Sequence, residues 1–479
     1  MSSFEALPYD VLEIIARYLA RTALAALCIT TRALHSLALP LLYRVVELSG
    51  SGVNSRQRYR LFLRTVGNSD TGTIALLVTS FSLDCRLEQQ DLLHVVHALR
   101  AMQNLRHLYV RDMDATIRRD VSTLDAVKAL QHLRTIRIII ETDSTFARLV
   151  VRLPPMESLH VEGSVGSETA PDAQFDRLVL WSVNSLVRLR MLSTYYCHDL
   201  LCQNSSAIWE RVKELGFGIP ANGAVQAEAV AHAFPNVEWL ETSLHSEAAL
   251  RLICDLHLPH LRQLKLRVVS TSLYSAVLPM LAQRKRSCTI PHLAVLFENT
   301  ELDLDPVMGL FQSQALRTLQ LRVERLTPSI KTILEQCPNL HYIGLILAAD
   351  RYHRGLTVSA FETTLEIFGD TPTGKLDDVR YISVALEFRK PSHFQHRYGL
   401  SEVADEIYNI FAAFRKLRAL QLGVVDEPWE WRRHLQHDDG LRPPSAAIHR
   451  VPCSELSLPY TIDGVVRMVD DDLRAPGTV

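Results

Sequence analysis

The sequence predicts an α/β protein in which a short N-terminal three-helix unit precedes an irregular solenoid of strand–helix repeats with a parallel sheet on its concave face. Two observations lead to this prediction. An apolar phrase of the form L-x-x-L-x-L recurs from about residue 100 onward, and helical stretches separate its copies. Ahead of the repeats, residues 1–48 contain three short helical patterns in succession.

Composition limits the class of protein. With 479 residues, 47% of them hydrophobic, the chain is long enough for several domains or one extended repeat array with a substantial core. The formal net charge of -2 comes from 51 basic and 53 acidic residues, so no global field favours nucleic acid or an anionic membrane as partner. The eight cysteines form no paired framework, which indicates a reduced, intracellular protein of the cytoplasm or nucleus.

No targeting or membrane segment is expected. The N-terminus has no basic region ahead of an apolar run, as a signal peptide would have. The most apolar region, Ile14 to Leu42, is interrupted by Arg17, Arg21, Arg32 and His35. This region cannot supply the roughly 20 uncharged residues that a membrane span needs.

The first helix is predicted from about Pro8 to Ala20. Proline is favoured in a first helical turn, and apolar residues then recur at helical spacing. An apolar stripe runs along one side of the helix, and Leu12 makes the stripe wider than a single contact with a core requires. The members of the stripe are Leu7, Val11, Ile15 and Tyr18 or Leu19. This width indicates that two partners share the helix.

Two further short helices are predicted over Thr22–Thr30 and Thr31–Leu39, the second ended by Pro40. The chain then becomes β-branched and strand-like at Val45 and Val46. Three helices in about 40 residues are at the lower limit of what can bury a core alone. Their surplus apolar surface therefore indicates docking on a partner and on the rest of the chain.

The segments LPYDVLEIIARYL, LAALCITTRAL and LALPLLYRVVEL, in that order over residues 7–48, resemble an F-box of the type found at the start of many fungal F-box proteins. The resemblance implies that the Leu-Pro pair and the first helices insert into the Skp-family adaptor of an SCF ubiquitin ligase, which joins them to a cullin. The adaptor contacts that it implies are Leu7, Pro8, Val11, Leu12, Ile15, Leu24, Leu27 and Cys28. The alternative is that residues 1–48 form only a helical cap on the following domain.

The apolar phrase is found nine times. The copies are NLRHLYV (104–110), HLRTIRI (132–138), PMESLHV (155–161), NVEWLET (236–242), HLRQLKL (260–266), ALRTLQL (315–321), NLHYIGL (339–345), DVRYISV (378–384) and KLRALQL (416–422). Their first apolar positions Leu105, Leu133 and Met156 are 28 and 23 residues apart. Such steps fall within the period of leucine-rich repeats, about 20–29 residues, whereas the 38 residues from Val379 to Leu417 indicate an insertion.

Helical stretches separate the phrases, and several of them end in a proline just before the next phrase. Proline stops a helix and releases the chain into a strand. One strand and one helix per repeat predict a right-handed solenoid with a parallel sheet. The asparagine that often follows the phrase is absent, so the repeats resemble the irregular ones of F-box proteins. The period breaks between Phe175 and Phe217, which leaves an ordinary α/β domain with parallel strands as an alternative.

The pattern stops after Val425. We therefore predict an F-box at 1–48, a leucine-rich-repeat-like solenoid at 49–425, and a C-terminal cap with a loose tail at 426–479. In the last part, Trp429 and Trp431 are expected to cover the open edge of the last repeat rather than to bind a ligand. An acidic stretch, VDDDL, lies at Val469–Leu473.

One stretch raises the question of enzyme chemistry. GDTPTGKL, at Gly369–Leu376, satisfies the G-x-x-x-x-G-K of a P-loop but has Leu376 in place of the Ser or Thr that reaches magnesium. A P-loop joins a strand to a following helix, whereas here a helical stretch precedes the loop and a repeat strand follows. Nucleotide hydrolysis with Gly369 to Lys375 is the enzyme alternative, and we do not favour it.

The spacing of cysteine and histidine also fails to indicate a metal site. Neither Cys197 with Cys202 nor Cys254 with His257 and His260 has a complementary pair at a structural-zinc spacing. The sequence contains no G-x-S-x-G elbow, no H-E-x-x-H motif and no nucleotide fingerprint. We therefore predict a chain without catalytic, cofactor or metal sites.

The leading hypothesis is a non-catalytic substrate receptor of an SCF-type ubiquitin-protein ligase, with a client protein bound by the repeats. The alternative is a leucine-rich-repeat scaffold not engaged in a ligase. Because side chains alternate along a strand, the residues between the leucines point out of the core. Together they form a basic surface. This surface is either simply solvated or binds an acidic or phosphorylated segment of the client. The predicted client-binding residues are Tyr109, Arg111, Arg137, Lys265, Arg267 and Arg322.

Overall fold

A computed structural model provides the fold of the chain. The structure describes residues 7–49, 53–68, 72–85, 87–111, 113–140, 153–163, 178–191, 201, 206–219, 226–269, 273, 277, 290–297, 316–323, 337, 339–349, 368, 378–388, 409–411, 413–414, 416–424, 427–434, 447–451 and 469. The chain divides into two compact units, unit 1 (Met1–Phe217) and unit 2 (Gly218–Val479).

The described helices lie mostly in unit 1. They are α1 (Tyr9–Arg17), α2 (Arg21–Cys28), α3 (Arg32–Arg44), α4 (Val53–Gly67), α5 (Gly72–Leu77), α6 (Gln89–Ala101), α7 (Met113–Arg119) and α8 (Ser122–Lys128) in unit 1, and α9 (Ala227–Ala233) and α10 (Glu247–Asp255) in unit 2. Among the residues that the structure describes, no helix is long and apolar enough to cross a membrane.

Each unit is built on strands that pair in the order of the sequence. In unit 1 the parallel strands are β1 (Val45–Ser49), β2 (Ser80–Asp84), β3 (His107–Val110), β4 (Thr135–Ile140), β5 (Ser158–Gly163), β6 (Arg188–Met191) and β7 (Glu214–Gly218). In unit 2 they are β8 (Trp239–Leu244), β9 (Gln263–Val268), β10 (His292–Phe297), β11 (Thr318–Val323), β12 (Tyr342–Ala349), β13 (Tyr381–Phe388) and β14 (Ala419–Val424).

The register places the same position of successive phrases side by side. Leu159 of β5 lies opposite Ile136 of β4 and Leu189 of β6, and all three side chains are fully buried. We name this row of stacked residues the apolar ladder. Its described members are Val46, Phe81, Leu108, Ile136, Leu159, Leu189 and Leu215 in unit 1, and Leu240, Leu264, Leu293, Leu319, Ile343, Ile382 and Leu420 in unit 2. The predicted α/β fold, with a parallel sheet formed by one strand per repeat, is confirmed.

The repeat period continues where the sequence predicts a break. Strands β6 and β7 lie between Phe175 and Phe217 and pair in parallel order. The phrase of β6 is SLVRLRM, in which Leu186, Leu189 and Met191 are buried. The prediction of a break was wrong because this phrase keeps L-x-x-L at Leu186 and Leu189 and differs from the pattern only at the last position, where Met191 replaces a leucine. The alternative of an ordinary α/β domain loses the observation on which it rested.

The N-terminal helices confirm the predicted order but not the predicted end of the third. Helix α3 continues through Pro40 to Arg44, although a proline inside a helix costs about 3 kcal/mol. Leu37 and Ala38 are buried before the proline, and Leu41 and Leu42 pack against the same core after it. Tertiary packing on both sides of Pro40 therefore outweighs the lost backbone hydrogen bond.

The three N-terminal helices share a hydrophobic core of their own. Its buried members are Leu12 and Ala16 of α1, Leu24 of α2, and Leu34, Leu37 and Ala38 of α3. At the start of α3, the Thr31 hydroxyl accepts a hydrogen bond from the Leu34 amide at 3.3 Å and so satisfies one free helix donor. We name α1–α3 the three-helix unit.

A buried carboxylate joins α4 to α6. The Asp91 carboxylate accepts hydrogen bonds from the Tyr59 hydroxyl and the Arg60 Nε, each at 2.7 Å. Arg60 also donates to Glu88 Oε2 at 2.7 Å. Burial alone raises the pKa of Asp91, but the hydrogen bonds from Arg60, Tyr59 and the Glu88 backbone amide outweigh it, and the net pKa is lowered.

The parallel series ends in an antiparallel pair. Strand β15 (Glu427–His434) pairs with β14, and β16 (Ala447–Val451) pairs with β15. Trp429 and Trp431 lie in β15, opposite Leu422 and Leu420 of β14. The backbone of β15 thus occupies the edge of β14 that would otherwise present unpaired hydrogen-bonding groups.

Replacing Asp91 with Ala is expected to lower the free energy of unfolding at pH 7 by about 2–3 kcal/mol, because Tyr59 and Arg60 lose a buried partner. The lowered pKa means that this contribution is complete above the ordinary aspartate pKa of about 3.9 and is lost as pH falls through the lower folded-state value. Urea denaturation at pH 7 and at pH 2–3 measures both effects.

Asp125→Ala is the matched control for that experiment. The Asp125 carboxylate is exposed and contacts Lys128 Nζ at 2.7 Å, and an exposed pair of this kind contributes only about 0–1 kcal/mol. Equal stabilities of the two variants at pH 7 would contradict a structural role for Asp91.

Candidate protein-interaction surfaces

Helix α1 has apolar side chains on two sides. One side buries Leu12 and Ala16 in the core of the three-helix unit. On the other side Ile14 and Tyr18 remain 56% and 87% exposed, and Leu7, just ahead of the helix, is 40% exposed. Exposed apolar residues that share one helix face are typical of a protein-interaction site. We name this set, Leu7, Val11, Ile14 and Tyr18, the α1 face.

The predicted adaptor contacts are divided between surface and core. Leu7 and Pro8 are exposed, and Val11, Ile15, Leu27 and Cys28 are half-buried. By contrast, Leu12 and Leu24 lie in the core of the three-helix unit, where they hold the helices together. Ile14 and Tyr18 are absent from the predicted set. Ile14 lies three residues after Val11, and Tyr18 lies four residues after Ile14. This spacing puts the three residues on one helix face and is the signal that could have identified them.

The sheet of unit 1 has a second side, opposite the apolar ladder, where polar side chains align. Across β3 to β6 the register brings Tyr109, Arg137, His160 and Arg190 into one row. The Arg137 guanidinium lies over the Tyr109 ring, 4.6 Å from its centroid, in a cation–π contact. We name this row and its flanking charges the unit 1 open face.

Acidic side chains pair with the bases of the unit 1 open face. Glu162 Oε1 lies 2.7 Å from Arg137 Nη2 and 3.0 Å from His160 Nε2. The contact with His160, together with the positive charge of Arg137, lowers the pKa of Glu162 to about 2 despite its burial. Arg111 similarly lies 3.4 Å from Asp84. This face is therefore a mixed-charge surface rather than a purely basic one.

The second cluster of predicted bases lies in unit 2. Lys265 Nζ and Arg267 Nε each lie 3.0 Å from Oε1 of Glu241, a carboxylate in a residue that is 1% exposed. Arg322 of β11 lies on the same side of the sheet, opposite Ile346 in register, and also has an interaction partner. We name the side of β8–β14 that carries these residues the unit 2 open face.

Sequence reasoning missed the acids that pair with these bases. In β8, Glu241 directly follows the ladder residue Leu240, and in β9 Lys265 directly follows the ladder residue Leu264. Glu241 and Lys265 lie opposite each other in the paired strands. Glu162 follows His160 by two residues and so points to the same side of the sheet. The strand alternation that identified the arginines identifies these glutamates equally well.

The remaining predicted chemistry falls mostly outside the described residues. Gly369–Leu376, Cys197 and Cys202 lie outside them. Cys254 lies in the last turn of α10, and His257 and His260 are exposed between α10 and β9. In the part of the chain that the structure describes, no group of three His, Cys, Asp or Glu residues can hold a metal ion.

Similarity to known proteins is found at the level of structure. No protein-family model matches the chain, and no curated protein matches it. Among solved structures, it is similar to a leucine-rich-repeat protein of Leptospira interrogans, with 10% sequence identity, a TM-score of 0.26, and coverage of 80% of this chain and 84% of that chain. The repeats of this chain are accordingly assigned from the strand register and the stacked leucine-rich phrases.

The carboxyl group of Glu162 is expected to titrate near pH 2, well below the ordinary glutamate pKa of about 4.3. Its ion pair with Arg137 therefore persists at neutral and mildly acidic pH and is lost only as pH falls towards 2. Carboxyl-detected NMR measures the midpoint. His160→Leu removes the largest cause of the shift and should raise the midpoint, whereas His107→Leu, on β3, should leave it unchanged. An ordinary midpoint in the wild-type protein would contradict this description.

Proposed function

We propose that this chain is a non-catalytic protein-binding scaffold, in which the three-helix unit docks one partner and the open faces of the repeats receive another. The α1 face is the observation that carries the proposal. Helix α1 already has its core contacts through Leu12 and Ala16, so Ile14 and Tyr18 contribute nothing to that core. Burying such side chains against a partner is favoured by about 25 cal/mol for each Å² of apolar area.

The partner of the α1 face is proposed to be a Skp-family adaptor, which makes the chain a substrate receptor of an SCF-type ubiquitin ligase in the cytoplasm or nucleus. This finer proposal is supported by the resemblance of residues 7–48 to an F-box. The helix order and the exposure of Leu7 and Pro8 ahead of α1 agree with it. Ubiquitin transfer would then be performed by the partners.

A scaffold outside any ligase is the second candidate. The observation that favours it is the burial of Leu12 and Leu24, two of the residues that the F-box resemblance assigns to the adaptor. In that case the α1 face binds a different protein, and the repeats serve the same binding role. Binding of the adaptor distinguishes the two candidates directly.

Ile14→Asp is expected to weaken binding of a Skp-family adaptor at least about tenfold, because the contact would enclose an unpaired charge. Isothermal calorimetry and size-exclusion chromatography of the purified pair measure the effect. Leu61→Asp is the matched control, since Leu61 of α4 is 71% exposed and lies outside the three-helix unit. Absence of co-elution for the wild-type pair would exclude the ligase proposal and leave the scaffold.

The enzyme alternative has a separate test. We propose that Lys375 binds no phosphate, because the loop that contains it lacks the Ser or Thr needed for magnesium. Calorimetry with ATP or GTP and magnesium should show no heat of binding to the full chain. A saturable signal that disappears in Lys375→Ala would establish nucleotide binding.

A further inference from the structure

Part of the unit 2 open face is covered. Strand alternation places Tyr342, Tyr381 and Ala419 on this face, opposite the apolar ladder, in one row across β12–β14. A solvated face would leave two tyrosines of such a row accessible, yet Tyr342 is 2% and Tyr381 8% exposed. Some other part of the protein must therefore lie over them.

Among the residues that the structure describes, Val469 packs against this row. It is 1% exposed and forms a single buried cluster with Tyr342, Tyr381 and Ala419. Seventeen residues lie between it and Val451, the end of β16, and an extended chain of that length spans up to about 60 Å. The connection is long enough to bring the C-terminal segment back across the face of the sheet.

The Tyr342 side chain fills the space above its neighbour on the same side of the strand. The Tyr342 ring lies over Gly344, where an added Cβ would be 2.7 Å from the Tyr342 hydroxyl oxygen. Beside it, the Ser383 hydroxyl donates to Gln421 Oε1 at 3.0 Å. Burial raises the pKa of Tyr342 to about 12, while its contact with Ser383 opposes the shift. We name Tyr342, Gly344, Tyr381 and Ala419 the tyrosine seat.

The sequence next to Val469 complements the charges of the same face. Three aspartates, Asp470–Asp472, follow Val469 directly. The unit 2 open face has the bases Lys265, Arg267 and Arg322, of which the first two share one carboxylate, that of Glu241. A segment with a branched apolar residue followed by acids therefore matches both the seat and the sign of the charge.

We propose that the C-terminal segment around Val469 is an internal ligand of the unit 2 open face, and that the client of this face is a protein segment of the same type, a branched apolar residue followed by acidic residues, which must displace it. The client part of this inference rests on the proposed scaffold function. The tail then acts as a competitor that raises the client concentration needed for binding.

A labelled synthetic peptide of residues 461–479 tests the inference by fluorescence anisotropy against the full-length protein. The wild-type protein, with its seat occupied, should bind the peptide weakly. Val469→Asp in the protein removes the internal ligand and should strengthen binding of the wild-type peptide at least tenfold. The control Val121→Asp, at an exposed residue between α7 and α8, should behave as wild type. Equal affinities of wild-type and Val469→Asp proteins would overturn the proposal.

Peptide variants test the seat without any further change in the protein, once circular dichroism has shown that the Val469→Asp protein keeps the wild-type fold. With the Val469→Asp protein as receptor, a peptide that carries Val469→Asp should not bind. A peptide with the three aspartates changed to asparagine should bind at least fivefold more weakly, and its affinity should depend less on salt. Unchanged binding of the first peptide would overturn the seat, and unchanged binding of the second would overturn the acidic part of the client class.

Adaptor binding by the same proteins separates this inference from the proposed function. Val469 and the α1 face lie in different units, so Val469→Asp should leave adaptor co-elution unchanged. A chain that binds the peptide but no adaptor would keep the internal ligand and lose the ligase. A chain that binds the adaptor but shows no effect of Val469→Asp would lose only the internal ligand.

Discussion

The stacking of equivalent apolar residues in neighbouring strands is the constraint on which the rest of the structure depends. Leu159 is covered by Ile136 on one side and by Leu189 on the other, so no single repeat can bury its own ladder residue. Stability in such an array arises from contacts between neighbouring repeats. Segments between strands can therefore differ in length without disturbing the register, as the step of 38 positions from Val379 to Leu417 illustrates.

The first and the last parallel strand each lack a neighbouring repeat on one side, so other elements make contacts there. At the C-terminal end the antiparallel β15 and β16 occupy the edge of β14. At the N-terminal end α3 finishes at Arg44 and β1 begins at Val45, without a linker. Arg21 of α2 also donates to the Val45 carbonyl oxygen at 3.1 Å. The three-helix unit is thus held directly on the first strand, and a partner on the α1 face would be held in a defined position relative to it.

Polar residues on the open faces show how the sheet accommodates charge. Glu241 is buried, and a lone buried carboxylate is costly. Lys265 and Arg267 both contact this carboxylate and compensate its negative charge. Glu162 has the same role between Arg137 and His160 in unit 1. The recognition proposed for these faces therefore depends on the balance of such clusters rather than on single arginines.

The sequence by itself determined the parallel repeats, the alternation that separates ladder from open face, and the presence of two apolar sides on α1. These features follow from local spacing, because a period of two or of 3.6 residues assigns each side chain to one side of its strand or helix. Only the tertiary structure decided what covers each side. Leu12 became core and Ile14 surface because of where α2 and α3 pack. Glu241 contacts Arg267, and Val469 contacts Tyr342, although the residues of each pair are distant in the sequence. No local period specifies such contacts.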